Sequence, residues 1–153
     1  MNNQEAMTSS KKQDWETPQD FFNKVNKEFN FTLDVCAVPE TAKCKRYFTP
    51  EIDGLKQDWS KDICWMNPPY GREQIKWIKK AYQESLKGAT VVCLIPARPD
   101  TIVWHEYIFP NAEVRFIKGR LKFVGAETGA LFPSALVIFG EKAEIGTIKT
   151  MLR

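Results

Sequence analysis

Asn67-Pro68-Pro69-Tyr70 closes the apolar run Ile63-Cys64-Trp65-Met66, and its residue types suit one kind of chemistry. Two consecutive prolines cannot donate to a β-ladder, so a strand has to stop there. The Asn67 side-chain oxygen and the Pro68 carbonyl can each accept one N–H, and Tyr70 adds a flat ring for stacking. Together they suit a planar group bearing an amine. Such a site orients a weakly nucleophilic nitrogen toward an electrophile, and positioning rather than a general base supplies most of the rate. At the other strand ends the sequence offers no Ser-His or Cys-His pair that would make an activated nucleophile. Neither G-x-G-x-x-G nor G-x-x-x-x-G-K-[ST] occurs to cradle phosphates. His105 has no histidine partner, and Cys36, Cys44, Cys64 and Cys93 show no C-x-x-C spacing, so no metal site is expected.

The elements that position this turn follow from periodicity and punctuation. Thr17-Pro18 reads as an N-cap and a first helical position, opening a helix over 19–29 whose inner face is Phe21, Phe22, Val25 and Phe29. A short strand over 31–35 carries Asp34 at its end, and 46–49 reads as another brief strand. The polar loop 50–61 holds two acidic clusters and feeds the strand 62–66. A helix over 74–86 is expected to bury Ile75, Ile78, Tyr82 and Leu86, with Gly88 closing it. Residues 90–95 are apolar throughout, as in a parallel strand covered on both faces, and Pro96 ends them. A helix over 101–108, strands over 113–117 and 135–139, and a basic, glycine-containing loop over 118–133 complete the pass. The alternation predicts an α/β fold, a three-layer sandwich with a mostly parallel sheet. Ligands of open α/β sheets sit beyond the carboxyl ends of the strands. That gathers Asp34, the loop 53–59, Asn67 to Tyr70, and Pro96 to Arg98.

A chain of 153 residues, 43% hydrophobic and 27% charged, fits one domain with a continuous core. Residues 1–13 are polar and read as a disordered tail, with no secretory leader expected, and 14–153 as the single domain. No apolar run approaches the ~20 residues of a membrane span, so a cytoplasmic protein is expected. The net charge of +3 permits a nucleic-acid partner without demanding one.

Asn67-Pro68-Pro69-Tyr70 also matches the [DNS]-P-P-[YFW] motif of amino-group methyltransferases that use S-adenosyl-L-methionine. The chain around it resembles the small phage-type, Dam-like DNA N6-adenine methyltransferases. The likeness extends to Asp14-Trp15-Glu16-Thr17-Pro18, Leu33-Asp34-Val35-Cys36-Ala37, Gln57-Asp58-Trp59, Pro96-Ala97-Arg98, Gly119-Arg120-Leu121-Lys122-Phe123 and Phe132-Pro133-Ser134, about residues 14 to 140. It implies a minimal, Rossmann-like class I methyltransferase fold, S-adenosyl-L-methionine as cofactor and double-stranded DNA as partner. It also implies action in the cytoplasm of a bacterial host as a phage or prophage product. Carried over residue by residue, it implies that Thr17 and Pro18 lie against the methionine part of the cofactor and that Asp34 approaches its amino group. Asp58 would accept from the cofactor adenine, and Trp59 would pack on that ring. Asn67, Pro68, Pro69 and Tyr70 would hold a flipped target adenine, whose N6 attacks the methyl. Apart from that carry-over, the loop 118–133 is longer than most in such sheets and is expected to contact DNA, with Lys118, Arg120 and Lys122 meeting phosphates and Phe123 or Leu121 touching the base or the groove, and Arg98 stands either at a phosphate or merely on the surface. The F-x-G-x-G turn of many methyltransferases is absent, and Glu51 and Asp53 are both candidates for the ribose hydroxyls. So small a chain, with almost no separate target-recognition domain, is expected as a monomer or weak dimer. Two rivals are a methyltransferase acting on an RNA base or a protein glutamine, and a catalytically idle nucleic-acid-binding domain.

Overall fold

The computed structural model describes residues 14–153; the tail expected over 1–13 lies outside the described residues. Six strands, β1 (Leu33–Asp34), β2 (Ile63–Met66), β3 (Thr90–Pro96), β4 (Glu113–Lys118), β5 (Ser134–Phe139) and β6 (Ile148–Leu152), form one sheet in the order β1-β2-β3-β5-β4-β6. The pairs β1–β2, β2–β3 and β4–β6 are parallel, while β5 runs antiparallel to both β3 and β4. The sheet is thus mostly parallel, as expected.

The unbroken apolar run of β3 is explained by what covers it. Val91, Cys93 and Ile95 join one core with Trp77, Ile78 and Ala81 of helix α2 (Gln74–Leu86) and with Trp104 and Ile108. Val92 and Leu94 join the other, with Phe21, Phe22, Val25 and Phe29 of helix α1 (Gln19–Phe29). Alternate residues of a strand point to opposite faces. A strand covered on both must therefore be apolar at every position. Each fully buried aliphatic or aromatic side chain contributes roughly 1.5–3 kcal/mol. Arg115 of β4 pins α1 from outside, binding both oxygens of Glu28 at 2.8 and 2.7 Å and Glu113 at 2.5 Å.

Both long helices occupy the spans expected of them, but α2 is turned about its axis. Its buried residues are Trp77, Ile78, Ala81 and Glu84, while Ile75 and Leu86 are 46% and 70% exposed. Trp77 takes the inner face because it stacks on buried Trp59, with ring centroids 6.3 Å apart. Glu84 can follow it inside because Trp59 N donates to Glu84 Oε1 at 2.6 Å and Lys87 Nζ lies 3.0 Å from Oε2. The brief strand expected over 46–49 is reduced to one bridge, Asp34 with Tyr47. The helix expected over 101–108 runs on through a π-helical stretch, Trp104–Ile108, into the turn Phe109–Asn111. Strand β6 is an element the sequence did not announce. It is a sheet edge whose Ile148 and Leu152 face outward at 61% and 64% exposure, so its pattern does not resemble a core strand.

Candidate active site at the carboxyl ends of β1 and β2

Because β1 and β2 are parallel with Asp34 opposite Trp65, Asp34 and Asn67 emerge from the same edge of the sheet. A cavity of about 750 Å³ opens there, lined by Trp15, Thr17, Asp34, Asp53, Asn67 and Pro69 among others. That volume lies within the range of small-molecule and cofactor sites, about 300–1,000 Å³.

The Asn67 amide is held in one orientation. Its Nδ2 donates to the carbonyl of Trp15 and to Thr17 Oγ1, the latter at 3.1 Å. A carbonyl can only accept, so the nitrogen must face the Trp15 carbonyl and the oxygen must face away. Asn67 Oδ1 is buried and has no hydrogen-bond partner among the described residues. Leaving a buried acceptor unpaired costs roughly 1–3 kcal/mol. A donor on a bound molecule would remove that cost.

Asp34 is 3% exposed and accepts backbone N–H bonds from Cys36 at 3.3 Å and Lys43 at 3.0 Å. Burial outweighs these bonds and pushes its pKa up to about 6. The Lys43 ammonium turns to Gln19 Oε1, 3.0 Å away. Cys36 also lines the cavity, and burial, with the charges of Asp34 and Asp14, pushes its thiol up to about 12. It is no thiolate nucleophile near neutral pH.

Gly54, which sequence reasoning passed over, is where the loop after β1 packs most closely on its neighbours. A Cβ on Gly54 would stand 2.2 Å from the Val35 carbonyl and 3.2 Å from the Trp77 ring. Only glycine fits between the end of β1 and α2. The signal was Asp53-Gly54, a turn dipeptide. Asp53 sits at φ 59°, caps the 3₁₀ turn Gly54–Lys56 by accepting from Leu55 N at 3.1 Å, and lines the cavity. Glu51 is exposed and outside the lining, so of the two acids considered for the ribose it is Asp53 that reaches the cavity.

Several expected residues stand elsewhere. Trp59 is fully buried, its Nε1 donating to Gly54 O at 2.9 Å and its ring on Trp77, so it supports the cavity wall from behind. Asp58 faces solvent outside the lining and accepts from Ser60 N at 2.8 Å; its Ser60 hydrogen bonds hold its carboxyl below the usual range. Thr17 does not cap α1: the N-cap position is Pro18, without a side-chain cap bond, and the Thr17 hydroxyl goes to Asn67. Pro68 is buried and Pro69 lines the cavity. Tyr70 is 6% exposed and packs against Trp15, Phe123 and Phe132, its hydroxyl 3.4 Å from Leu94 O. Phe123 and Leu121, read as candidates to touch DNA, are each 2% exposed, because the rings of Trp15, Tyr70 and Phe132 draw Phe123 into one cluster. Arg98, Lys118, Arg120 and Lys122 are on the surface, with Arg120 Nη1 bonded to Ala130 O at 3.3 Å. Val124, beyond them on the same loop, lines the cavity.

Among the described residues no group of three or more His, Cys, Asp or Glu is placed to hold a metal ion, and no helix is long and apolar enough to cross a membrane.

Comparison with known proteins agrees with this chemistry. The DNA N-6-adenine-methyltransferase of Haemophilus phage HP1 (strain HP1c1) is 34% identical over 155 residues, covering 94% of this chain and 89% of that protein. The DNA N-6-adenine-methyltransferase of Escherichia phage T1 is 29% identical over 132 residues, 75% of this chain and 55% of that protein. A solved structure of a predicted O-methyltransferase from Agrobacterium tumefaciens covers 90% of this chain and 64% of its own at 18% identity. Its TM-score of 0.38 is too low to carry an argument. The family profile for DNA N-6-adenine-methyltransferase (Dam) matches residues 4–150. With a profile match over nearly its whole length and a relative of similar size at 34% identity, this chain belongs to the DNA N-6-adenine-methyltransferase (Dam) family.

Proposed function

We propose that the cavity between β1 and β2 is where this protein brings a methyl donor and its target base together. The reaction is the family's: methyl transfer to the exocyclic N6 of adenine in DNA. We take S-adenosyl-L-methionine as the donor, because the residues present fit it. Asp34, buried and with no cationic side chain bonded to it among the described residues, would receive the ammonium group. Asp53 would receive the ribose hydroxyls, and Gly54 would admit the cofactor close to the backbone. When bound, that cofactor would supply an electrophilic methyl group on a sulfonium, whose sulfur would leave as a neutral thioether when the C–S bond breaks.

The chain's own residues handle the amine. Asn67 Oδ1 accepts one N6–H of an adenine turned out of the duplex, and the Pro68 carbonyl accepts the other. As N6 takes the methyl it becomes cationic, and hydrogen bonds to a charged donor are stronger than neutral ones. The acceptors therefore hold the transition state more tightly than the ground state, which is what lowers a barrier. An amide oxygen is too weak a base to keep the proton, which leaves to water. Extruding the base costs a few kcal/mol of stacking and pairing. Trp15 is the aromatic residue beside Asn67 on the cavity lining, and Tyr70 backs it.

The same reading takes 14–153 as one Rossmann-like class I domain, a three-layer sandwich. It acts on double-stranded DNA as a monomer or weak dimer in the cytoplasm of a bacterial host. The observation that carries the assignment of the site is the buried, unpartnered Asn67 Oδ1 at the cavity. Labelled S-adenosyl-L-methionine offered with duplex DNA, RNA and protein in parallel tests it. The expected outcome is label on adenine in duplex DNA, reduced by about 100-fold or more in Asn67→Ala. Label on RNA or protein glutamine with none on DNA would overturn the reading, as would an Asn67→Ala variant of undiminished rate.

A further inference from the structure

We infer that Thr17 is a positioning residue that sets the orientation of the Asn67 amide, and that the strap Trp15-Glu16-Thr17 exists for that purpose. The inference rests on the reading of Asn67 as the residue that accepts from the target amine.

An asparagine amide can rotate by half a turn about its last bond with almost no change in shape, exchanging an acceptor for donors. A site that must accept N6–H is useless in the flipped state. Residues fifty or more positions upstream in the chain prevent the flip. Trp15 O and Thr17 Oγ1 both take hydrogen bonds from Asn67 Nδ2, so the two N–H groups of the amide are occupied by two acceptors. Thr17 is 1% exposed, which denies its hydroxyl the competing water that would loosen the arrangement.

The strap is itself held from both sides. Between the two acceptors, Glu16 O receives the backbone N–H of Val124 at 3.0 Å, tying the strap to the basic loop after β4. The Trp15 ring stacks on Tyr70 at 6.5 Å and meets Phe123 and Phe132 edge-on at 5.5 and 5.3 Å. Tyr70 and Asn67 belong to one motif, so its aromatic residue fixes the segment that orients its amide. The acceptor oxygen of the threonine hydroxyl is thereby assigned to Asn67.

Two variants and a cycle test this. Thr17→Val keeps the shape and removes the acceptor. It is expected to lower kcat about 10- to 100-fold at saturating cofactor, the scale of loss that small misplacement of a reacting group causes. Cofactor Kd should stay within about 2-fold, since one uncharged contact changes. Thr17→Ser keeps the acceptor and should retain most of the rate. In an Asn67→Ala background Thr17→Val should cost nothing further, because its effect passes through the amide. The Asn67 side-chain amide resonances, read by ¹⁵N–¹H correlation, should shift in Thr17→Val and not in Thr17→Ser.

An unchanged kcat in Thr17→Val, with Asn67→Ala inactive, would overturn the inference and leave the functional reading standing. So would a weakened cofactor Kd with kcat unchanged at saturation. If the wild-type protein transfers no methyl to DNA, the functional reading falls. The amide resonances still decide whether Thr17 orients Asn67.

Discussion

At the residue scale, the most informative group is Asp34, because burial and its proposed role pull it in opposite directions. Its pKa is raised from 3.8 to about 6, chiefly by burial. The folded state therefore holds a proton more tightly than the unfolded state. The stability this contributes, about 3 kcal/mol, is full below about pH 3.8 and is lost as pH rises through about 6, which is the cost of ionising the carboxyl in place. A bound ammonium would offset the cost by pairing with the carboxylate. Affinity for S-adenosyl-L-methionine is accordingly expected to rise about 10-fold between pH 5 and pH 7 and then level off. Asp34→Asn should flatten that profile and weaken binding at pH 7. Calorimetric Kd at both pH values checks both, and an unchanged pH profile in Asp34→Asn would remove this aspartate from the cofactor site.

At the element scale, the loop between β1 and β2 decides which acid serves the cavity. Trp59 is drawn into the core by stacking on Trp77 and by its Nε1 bond to Gly54 O, and Glu84 receives its backbone N–H. With Trp59 anchored inward, its neighbour Asp58 is left on the solvent side. Asp53, four residues before the start of that Gln57-Asp58-Trp59 turn, is left at the cavity. Asp53→Ala is therefore expected to weaken cofactor binding about 10-fold, the loss of one or two hydrogen bonds to a carboxylate. Asp58→Ala should leave it unchanged, as followed by cofactor-induced thermal stabilisation. The reverse order would return the adenine-contact role to Asp58. The spans of α1 and α2 were legible because helical spacing and the punctuation of Pro18 and Gly88 act locally. The buried face of α2 was not, because it depends on Trp59, fifteen or more residues upstream, and on partners for Glu84.

At the scale of the whole molecule, the proposed function requires duplex DNA to reach a cavity bordered by Val124 of the basic loop. Lys118, Arg120 and Lys122 are exposed on that stretch, while Phe123 is consumed by the core. Their contribution should be electrostatic and independent of sequence. Lys122→Ala is expected to reduce the slope of log K against log salt by about one for DNA binding, with little change in kcat. Phe123→Ala should instead lower stability by about 3–5 kcal/mol, as loss of a buried ring does. An unaltered salt slope in Lys122→Ala would take the loop off the DNA path. The kind of chemistry and the strand–helix alternation were already present in local patterns: Asn67-Pro68-Pro69-Tyr70 is contiguous, prolines end strands wherever they stand, and periodicity is a property of a few turns. The identity of the supporting groups came only with the fold. Thr17 on Asn67, Gly54 against Val35 and the burial of Tyr70 and Phe123 are contacts between segments distant in the chain. Which side chain wins a shared space there depends on the free energy of burying each against the others, and no local pattern records that competition.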